Sequence, residues 1–511
     1  MSALGEVLGG LSRGIPPLVA LSLLLASGCP AHAPALEPAP PVLAVEPTPP
    51  PPAEPPPPTG AAPVSPVQVP IPEAAGPPDL DCDEALGREP RPGPPPPRPD
   101  AAPPGPPHAA PDPATMPQVT VGGAATSVAS LPGADPAALP PRPLEGSPEV
   151  LAAVGALLAR AEAGERVRLS FFGASHTAGE FWTGHLRRLL QARYGDAGHG
   201  FVLPAALYRG DRAQDVNLCR TEGWRPDWAG RRDGHGDGLL GPAGMSVSSG
   251  DPADFGWVET TRSNPQGRAV AFFDVYALAQ PGGGTLRLTV DSASPREVST
   301  AAEAPDLLRF RVEVPDGPHR LTLAPVGDGE VRLFGVSMER PGPGVLVDAM
   351  GVRGKEARTW LAWDEQMAAR GLASLGPDLV VLAYGTNEAN DARYELDAYR
   401  ADLTAVLARL HAAVPGAACL LVGPTDRFVD LKRGRYAIWD RTAAFAQAQR
   451  EVALAEGCAF WDWQQATGGP GSMLAWHLHD PPLSAADGIH FTRAGYELSA
   501  ERLLGAIEAA R

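Results

Sequence analysis

The sequence lacks any excess of basic residues. Its 42 lysines and arginines are outnumbered by 59 aspartates and glutamates, which gives a formal net charge of −17. A basic tract, a zinc-type cysteine spacing and a glycine-rich phosphate loop are also missing. These absences exclude sequence-independent binding to nucleic acid and predict neither a metal ion nor a cofactor.

The N-terminus has no apolar run long enough to span a membrane as a mature helix, since its apolar stretch covers only residues 15–25. Arg13 precedes this stretch, and three small residues followed by Cys29 come after it. This order is typical of a secretory signal. The cysteine makes residues 1–28 resemble a bacterial lipoprotein signal, in which Cys29 becomes the lipidated first residue. An ordinary cleaved signal peptide with an incidental cysteine is the alternative.

The residue after Cys29 is Pro30 rather than an aspartate that would suggest retention at the inner membrane. The resemblance therefore implies a membrane partner, reached through a lipid anchor at Cys29. We expect the protein to lie in the cell envelope, at the outer membrane, facing the periplasm or the cell surface.

Proline is abundant, with 61 residues, and it dominates residues 29–146 together with alanine and glycine. Such a segment buries too little apolar surface to offset the entropy lost on ordering. We predict a disordered, partly polyproline linker over residues 29–146 that holds the rest of the chain away from the lipid. A small folded domain hidden in this segment is the alternative.

Cysteine is scarce, at five residues in the whole chain. In an oxidising compartment Cys82, Cys219, Cys419 and Cys458 can pair in three full ways, and the sequence does not choose among them. Cys419 and Cys458 each stand near the start of an apolar strand candidate. They are either neighbours in a sheet or buried free thiols.

Apolar runs and amphipathic stretches alternate in residues 147–205 and 345–511. The predicted strands are residues 167–172, 346–350, 379–384, 418–422 and 459–463. The predicted helices are residues 149–162, 181–193, 359–370, 394–413 and 438–456. Alternation of this kind predicts an α/β fold with a parallel sheet and helices on both of its faces.

Residues 206–344 do not follow this alternation. They contain short runs of alternating apolar and polar residues, separated by glycine, proline and aspartate. Such a pattern predicts an antiparallel β-sandwich, inserted between the first two strands of the α/β domain. The alternative is that these strands extend the parent sheet.

Three short segments, far apart in the sequence, carry the side chains of serine-type ester chemistry. They are Gly-Ala-Ser-His at 173–176, Gly-Thr-Asn-Glu at 385–388 and Asp-Gly-Ile-His at 487–490. The first two follow predicted strands, and the third precedes a last helical stretch. A serine, an asparagine and an Asp-x-x-His can supply a nucleophile, an oxyanion donor and a base with the group that orients it.

The chain is identified by these motifs as resembling the SGNH/GDSL hydrolase superfamily, over residues 166–204 and 345–511. Ser175, Gly354, Asn387 and His490 match the residues that name the superfamily, and Asp487 completes the Asp-x-x-His. The resemblance implies a flavodoxin-like, three-layer parallel sheet. It also implies that the N–H groups of Ser175 and Gly354 and the amide of Asn387 form an oxyanion hole. The catalytic residues would then be Ser175, Asp487 and His490.

The motifs depart from the family pattern at three positions. Ala174 stands where aspartate is usual, His176 where leucine is usual, and Glu388 where aspartate is usual. The Ser-His pair and the β-rich insertion resemble peptidoglycan O-acetylesterases, whose inserted sandwich is similar to a carbohydrate-binding module. The resemblance implies an esterase that removes acetyl groups from a cell-envelope glycan, O-acetylated peptidoglycan, through an acyl-enzyme at Ser175.

Two other functions remain open at this stage. The same residues would serve an acyltransferase that passes an acyl group to an envelope sugar. A glycan-binding surface lipoprotein with an inactive hydrolase domain is an alternative of another class. Trp360, Trp363 and Trp476 either line a sugar cleft or belong to the core. His176 either contacts substrate or is simply a polar residue at a helix start.

Overall fold

The computed structural model describes residues 60–71, 76–78, 82–85, 111–121, 127–203 and 213–511. In chain order, the α-helices of these residues are α1 Cys82–Ala85, α2 Pro148–Glu162, α3 Ser175–Ala178, α4 Phe181–Tyr194, α5 Glu365–Leu375, α6 Leu396–Ala413, α7 Arg441–Ala455, α8 Trp463–Ala466, α9 Ser472–His477 and α10 Arg493–Glu508. The strands are β1 Val67–Val69, β2 Gln118–Thr120, β3 Arg166–Gly173, β4 Gly200–Val202, β5 Val216–Arg220, β6 Arg225–Trp228, β7 Met245–Ser249, β8 Gly256–Thr260, β9 Val270–Ala279, β10 Thr285–Val290, β11 Arg296–Ser299, β12 Asp306–Gly317, β13 Arg320–Pro325, β14 Val331–Glu339, β15 Gly344–Gly351, β16 Leu379–Ala383, β17 Ala418–Val422, β18 Phe428–Lys432, β19 Arg435–Ile438 and β20 Ala459–Trp461.

Five strands form the predicted parallel sheet, in the order β15-β3-β16-β17-β20. Side chains of a strand alternate between the two faces, so Phe171 joins one buried cluster and Phe172 joins the other. Helices α2, α4 and α10 cover the face of Phe171, and helices α5, α6 and α7 cover the face of Phe172. The three-layer α/β fold expected from the sequence is therefore confirmed.

The insertion consists of two antiparallel sheets packed around a separate apolar cluster. Their orders are β12-β9-β14-β7-β6, with β4 also paired to β14, and β11-β10-β13-β8-β5. The insertion begins earlier than the predicted residue 206, because β4 already pairs antiparallel with β14. Gly198 and Gly200 take φ angles of +113° and +92°, which turn the chain directly from the α/β domain into this pairing.

The two ends of the insertion meet. The Arg340 N–H donates a hydrogen bond of 2.8 Å to the Ala197 carbonyl. A side chain at Gly198 would collide with the Met338 carbonyl, only 2.4 Å from its Cβ position. The sandwich thus leaves and rejoins the parallel sheet at one place.

Part of the segment predicted as a disordered linker is ordered, which corrects that expectation for the described portions of residues 29–146. Strand β1 pairs in parallel with β12 at the edge of the sandwich, and β2 pairs with β19. Edge pairing satisfies main-chain groups without requiring many apolar side chains, so composition alone did not indicate these strands. The predicted lipidation site Cys29 lies outside the described residues.

The four remaining cysteines form two disulfide bonds. Cys82 is bonded to Cys219, and this bond ties the N-terminal segment to β5 of the sandwich. Cys419 is bonded to Cys458, and it joins the starts of β17 and β20 in the parallel sheet. Of the two states left open for this second pair, the structure has the disulfide. Among the described residues, no helix has both the length and the hydropathy needed to cross a membrane.

Candidate active site

Three neighbouring strands of the parallel sheet end at the same level. Gly173 at the end of β3 pairs in register with Gly351 of β15 on one side and with Ala383 of β16 on the other. The loops that follow these strands carry Ser175, Gly354 and Asn387. Because the strands are parallel, all three loops leave the same edge of the sheet, where ligands bind in open α/β folds.

Ser175, His490 and Asp487 form a hydrogen-bonded chain. The His490 Nε2 lies 2.7 Å from the Ser175 Oγ, and the His490 Nδ1 lies 2.7 Å from an Asp487 carboxylate oxygen. A histidine bonded to a carboxylate at Nδ1 presents the unprotonated Nε2 to the serine hydroxyl. This arrangement can take the serine proton as the oxygen attacks an ester carbonyl.

The Asp487 carboxylate is held in place by its own loop. Its second oxygen accepts hydrogen bonds from the backbone N–H groups of Ile489 and His490, each of 2.9 Å. Partial burial alone would raise the pKa of the Asp487 carboxyl. The hydrogen bonds from the His490 ring and the two N–H groups outweigh that effect and hold the pKa well below its usual range. Asp487 therefore stays ionised beside the imidazole.

The predicted oxyanion donors lie around the same edge of the sheet. Ser175 is the first residue of α3, so its N–H has no acceptor within that helix. Gly354 takes a φ of +71° and faces open space. The Asn387 side-chain N–H donates to the carbonyl of Lys355, the residue after Gly354, at 2.7 Å. This bond fixes the amide beside the Gly354 loop and leaves its second N–H for a ligand.

Glu388 links the loop after β15 to the loop after β16. Its side chain is fully buried, and its two oxygens accept the N–H groups of Ala357 at 2.8 Å and Gly385 at 2.9 Å. Burial raises the pKa of the Glu388 carboxyl to about 7, although the two N–H donors act against it. The sequence shows this residue only as a departure from the family pattern, whereas the structure gives it a positioning role.

His176 is buried beneath the catalytic histidine rather than exposed to a ligand. Its Nδ1 lies 2.8 Å from the Tyr496 Oη, and its Nε2 lies 3.4 Å from the Thr425 Oγ1. The centres of the His176 and His490 rings are 5.1 Å apart. Burial, together with the charge of His490, lowers the pKa of His176 to about 3, so its ring is neutral. The substrate-contact hypothesis for His176 is therefore wrong.

The tryptophans weighed as cleft residues belong to the core. Trp360, Trp363 and Trp476 are exposed by 5%, 3% and 0% of their surfaces. Trp360 and Trp363 pack edge to face, and the Trp363 indole N–H donates to the Leu240 carbonyl in the insertion. Trp360 and Trp363 thus join the sandwich to the α/β domain, while Trp476 lies in the core on the other face of the parallel sheet, and none of the three forms an open sugar platform.

One group of possible metal ligands occurs among the described residues, formed by His411, Cys419 and Cys458. The two sulfur atoms of this group are bonded to each other. A disulfide has no thiolate to offer a metal ion, so this group is structural. It also lies at the starts of β17 and β20, whereas the loops of Ser175 and Asn387 leave the opposite strand ends.

The sequence matches the family model of the GDSL-like lipase/acylhydrolase family over residues 327–498. This range contains Gly354, Asn387, Asp487 and His490. Ser175 lies outside it, since the insertion separates the first strand of the sheet from the matched residues.

Among solved structures, a peptidoglycan O-acetylesterase is 28% identical to this chain, with a TM-score of 0.59 over 71% of this chain and 97% of that chain. An acetyl xylan esterase, AlAXEase, is 17% identical, with a TM-score of 0.24 over 32% and 79% of the two chains. A family two carbohydrate esterase from Cellvibrio japonicus is 11% identical, with a TM-score of 0.23 over 58% and 98%. A comparison with curated proteins finds no match.

Proposed function

Because the chain is a carboxylic ester hydrolase of the SGNH hydrolase superfamily, we propose that it removes acetyl groups from O-acetylated peptidoglycan through an acyl-enzyme at Ser175. The observation that carries the mechanism is the position of His490, within 2.7 Å of both Ser175 and Asp487. The choice of substrate is supported by the 28% identity to a peptidoglycan O-acetylesterase, 97% of which is covered.

Acylation begins at the Ser175 hydroxyl. Its oxygen attacks the acetyl carbonyl carbon while His490 Nε2 takes the hydroxyl proton, and Asp487 stabilises the resulting imidazolium. The oxyanion accepts hydrogen bonds from the N–H groups of Ser175 and Gly354 and from the Asn387 amide. When the carbonyl reforms, the bond to the sugar oxygen breaks, and His490 returns its proton to that oxygen. Acetyl-Ser175 and a free sugar hydroxyl remain.

Deacylation repeats the sequence with water. His490 takes a proton from the water molecule as its oxygen attacks the acetyl carbon of acetyl-Ser175. The bond to Ser175 Oγ then breaks, the serine recovers the proton from His490, and acetic acid leaves and ionises to acetate by releasing its proton to solvent. A sugar hydroxyl in place of water would give the acyltransferase alternative with the same residues.

The test is acetate release from O-acetylated peptidoglycan by the purified full chain, with Ser175→Ala as control. We expect release by the native protein and none above background from a folded Ser175→Ala variant. Cleavage of 4-nitrophenyl acetate without release from peptidoglycan would overturn the substrate and keep the esterase chemistry. Transfer of acetyl to an added sugar would favour the acyltransferase. Glycan binding without either activity would favour the binding-protein alternative.

We also propose that a lipid at Cys29 anchors the enzyme in the cell envelope, at the outer membrane and near this substrate. The proposal is supported by the small residues before Cys29 and the apolar stretch at residues 15–25. Labelling cells with a radioactive fatty acid tests it, because label should enter the native protein and be absent from Cys29→Ala. Equal labelling of the two proteins would overturn it.

A further inference from the structure

Arg427 lies on the loop after β17, between two of the loops that build the active site. Its Nη1 donates a hydrogen bond of 2.7 Å to the Asn390 side-chain oxygen, three residues after Asn387. The N–H of the next residue, Phe428, donates to the Gly488 carbonyl at 3.1 Å, within the Asp487–His490 loop. Arg427 is therefore part of the rim of the site, on the side of Asp487.

Arg427 is partly buried, and among the described residues its guanidinium has no acidic hydrogen-bond partner, unlike the fully buried arginines. Arg168, Arg187, Arg320 and Arg332 are buried, and each of them donates to a carboxylate. Within the described part of the chain, the bond to Asn390 is the one hydrogen bond of the Arg427 side chain, and its Nε is buried without a partner. The enclosed Nε is out of reach of a ligand, so the unpaired donors that remain open beside the triad are those of Nη2.

A second arginine on the same side of the site shows what a purely structural arrangement looks like. Arg441 also has no carboxylate partner among the residues that the structure describes, but its guanidinium donates to the main-chain carbonyls of Ala389, Asp391 and Tyr394. These bonds use its donors and close the turn after Asn387. The corresponding donors of Arg427 are not used in this way.

The position of Arg427 is fixed by Trp439. The guanidinium carbon lies 4.1 Å from the centre of the Trp439 ring, and the Trp439 backbone N–H donates to the Arg427 carbonyl at 2.9 Å. The indole N–H in turn donates to the Ala389 carbonyl at 3.1 Å. A stacked guanidinium loses little further side-chain entropy when it binds an anion.

The Arg427 side chain keeps its positive charge although it is partly buried. Burial lowers the pKa of Arg427 to about 10, while the charge of Asp487 acts in the opposite direction. The side chain therefore remains protonated at neutral pH. Holding a partly buried cation without a paired acid is unfavourable for the fold, and groups with strongly perturbed pKa values are concentrated at functional sites.

We propose that Arg427 binds a carboxylate of the substrate, so that the enzyme selects acetyl esters on acidic glycans. Planar guanidinium and carboxylate groups pair through two parallel hydrogen bonds. The proposal rests on the proposed function and adds to it the class of substrate. A neutral acetylated glycan would fit the same triad but leave the Arg427 donors unpaired.

The experiment compares two soluble sugars, 6-O-acetyl-N-acetylmuramic acid and 6-O-acetyl-N-acetylglucosamine, of which only the first carries a 3-O-lactyl group with its carboxylate. For the native chain we expect kcat/KM to be about ten- to hundredfold higher on the acidic sugar, as for a hydrogen bond to a charged group. Arg427→Gln should lose this difference mainly through KM. Arg427→Lys should retain part of it, because it keeps the charge without the planar pair of donors.

The control is Lys432→Gln, which removes one positive charge from an exposed side chain of β18 that is paired with Asp430. It should keep the preference of the native chain. A folded Arg427→Gln or Arg427→Lys variant with an unchanged preference would overturn the proposal. So would an equal fall in kcat on both sugars, since that result assigns Arg427 to Asp487 rather than to the substrate. If the native chain cleaves 4-nitrophenyl acetate but neither sugar, the proposed function fails together with the inference.

Discussion

The His490 Nε2 lies 2.7 Å from the Ser175 Oγ, although 315 residues separate the two in the sequence. The strands β3, β15 and β16 fix the serine at the end of the sheet, and the loop before α10 brings the imidazole to it. A large part of that separation is taken up by the sandwich between Ala197 and Arg340, which contributes none of the three triad residues. Both residues of the pair therefore belong to the α/β domain.

We expect Asp487→Asn to lower kcat by about three to four orders of magnitude with little change in KM. The asparagine would favour the wrong tautomer of His490 and leave the imidazolium without its counter-charge. Steady-state kinetics with 4-nitrophenyl acetate measure this effect. A raised KM with a normal kcat would contradict the role of Asp487.

We expect Asn387→Ala to lower kcat by roughly two to three orders of magnitude, because one donor to the oxyanion is lost. The binding of the uncharged ester should change far less than the rate of the chemical step. The measurement is the same kinetic comparison, with unfolding temperatures recorded to show that the variant is folded. A raised KM with an unchanged kcat would exclude the amide from the oxyanion hole.

We expect Glu388→Ala to lower kcat on the order of a hundredfold, since the loops of Gly354 and Asn387 would lose the carboxylate that joins them. Glu388→Asp should give a smaller loss, because a shorter side chain reaches one N–H more easily than both. Glu395→Ala is a matched control, because it removes an exposed carboxylate a few residues away. Equal kinetics for the Glu388 and Glu395 variants would refute the positioning role.

We expect His176 to make the protein less stable in acid. Its folded pKa of about 3 lies below the unfolded value of 6.5, so the unfolded chain binds the extra proton first as the pH falls. Between pH 7 and pH 5 this linkage removes about 2 kcal/mol from the free energy of unfolding. His176→Gln lacks this titration. Urea unfolding at the two pH values should show a smaller acid loss for the variant, and parallel losses would refute the assignment.

We expect the double variant Cys419→Ser/Cys458→Ser to lose roughly 4 kcal/mol of stability under oxidising conditions, from the loop of 39 residues that the disulfide closes. The reason is the larger entropy of the unfolded chain without the crosslink. Under a strong reductant, the native protein should approach the variant. The unfolding midpoints of the two proteins, measured with and without reductant, test this, and a difference that persists in reductant would point to packing instead.

The hydrophobic pattern predicts the parallel sheet well, because each buried strand is a short apolar run between helical segments. It fails at residues 359–370, which it predicts to form one helix. A 3-10 helix ends there at Ala362, and α5 begins after Asp364, whose side chain caps it by accepting the N–H of Met367. The pattern also misses β1, whose pairing uses main-chain groups. Local sequence signals report periodicity and composition, and neither of these reports which edge strand a distant segment will join.

The active-site motifs predict the triad because their residues occur in recognisable blocks. The residues around them are different. No sequence motif indicates that His176 is buried or that Arg427 has unused donors. The role of His176 depends on its contact with Tyr496, 320 positions away in the sequence. The role of Arg427 depends on its contact with Trp439, 12 positions away. Only the folded arrangement shows that one ring is enclosed and that one guanidinium is left with unused donors.

Because Ala197 and Arg340 lie side by side, the sandwich begins and ends at one place and is a candidate for exchange with another module. A chimaera that carries a foreign β-module between these two positions must also supply the apolar surface that now covers Trp360 and Trp363. The N-terminal segment sets the condition for such an exchange, because β1 and Cys82 are bound to the sandwich and would lose their partners with it. A viable hybrid must therefore replace residues 60–85 together with the module, although these two stretches are separate in the sequence.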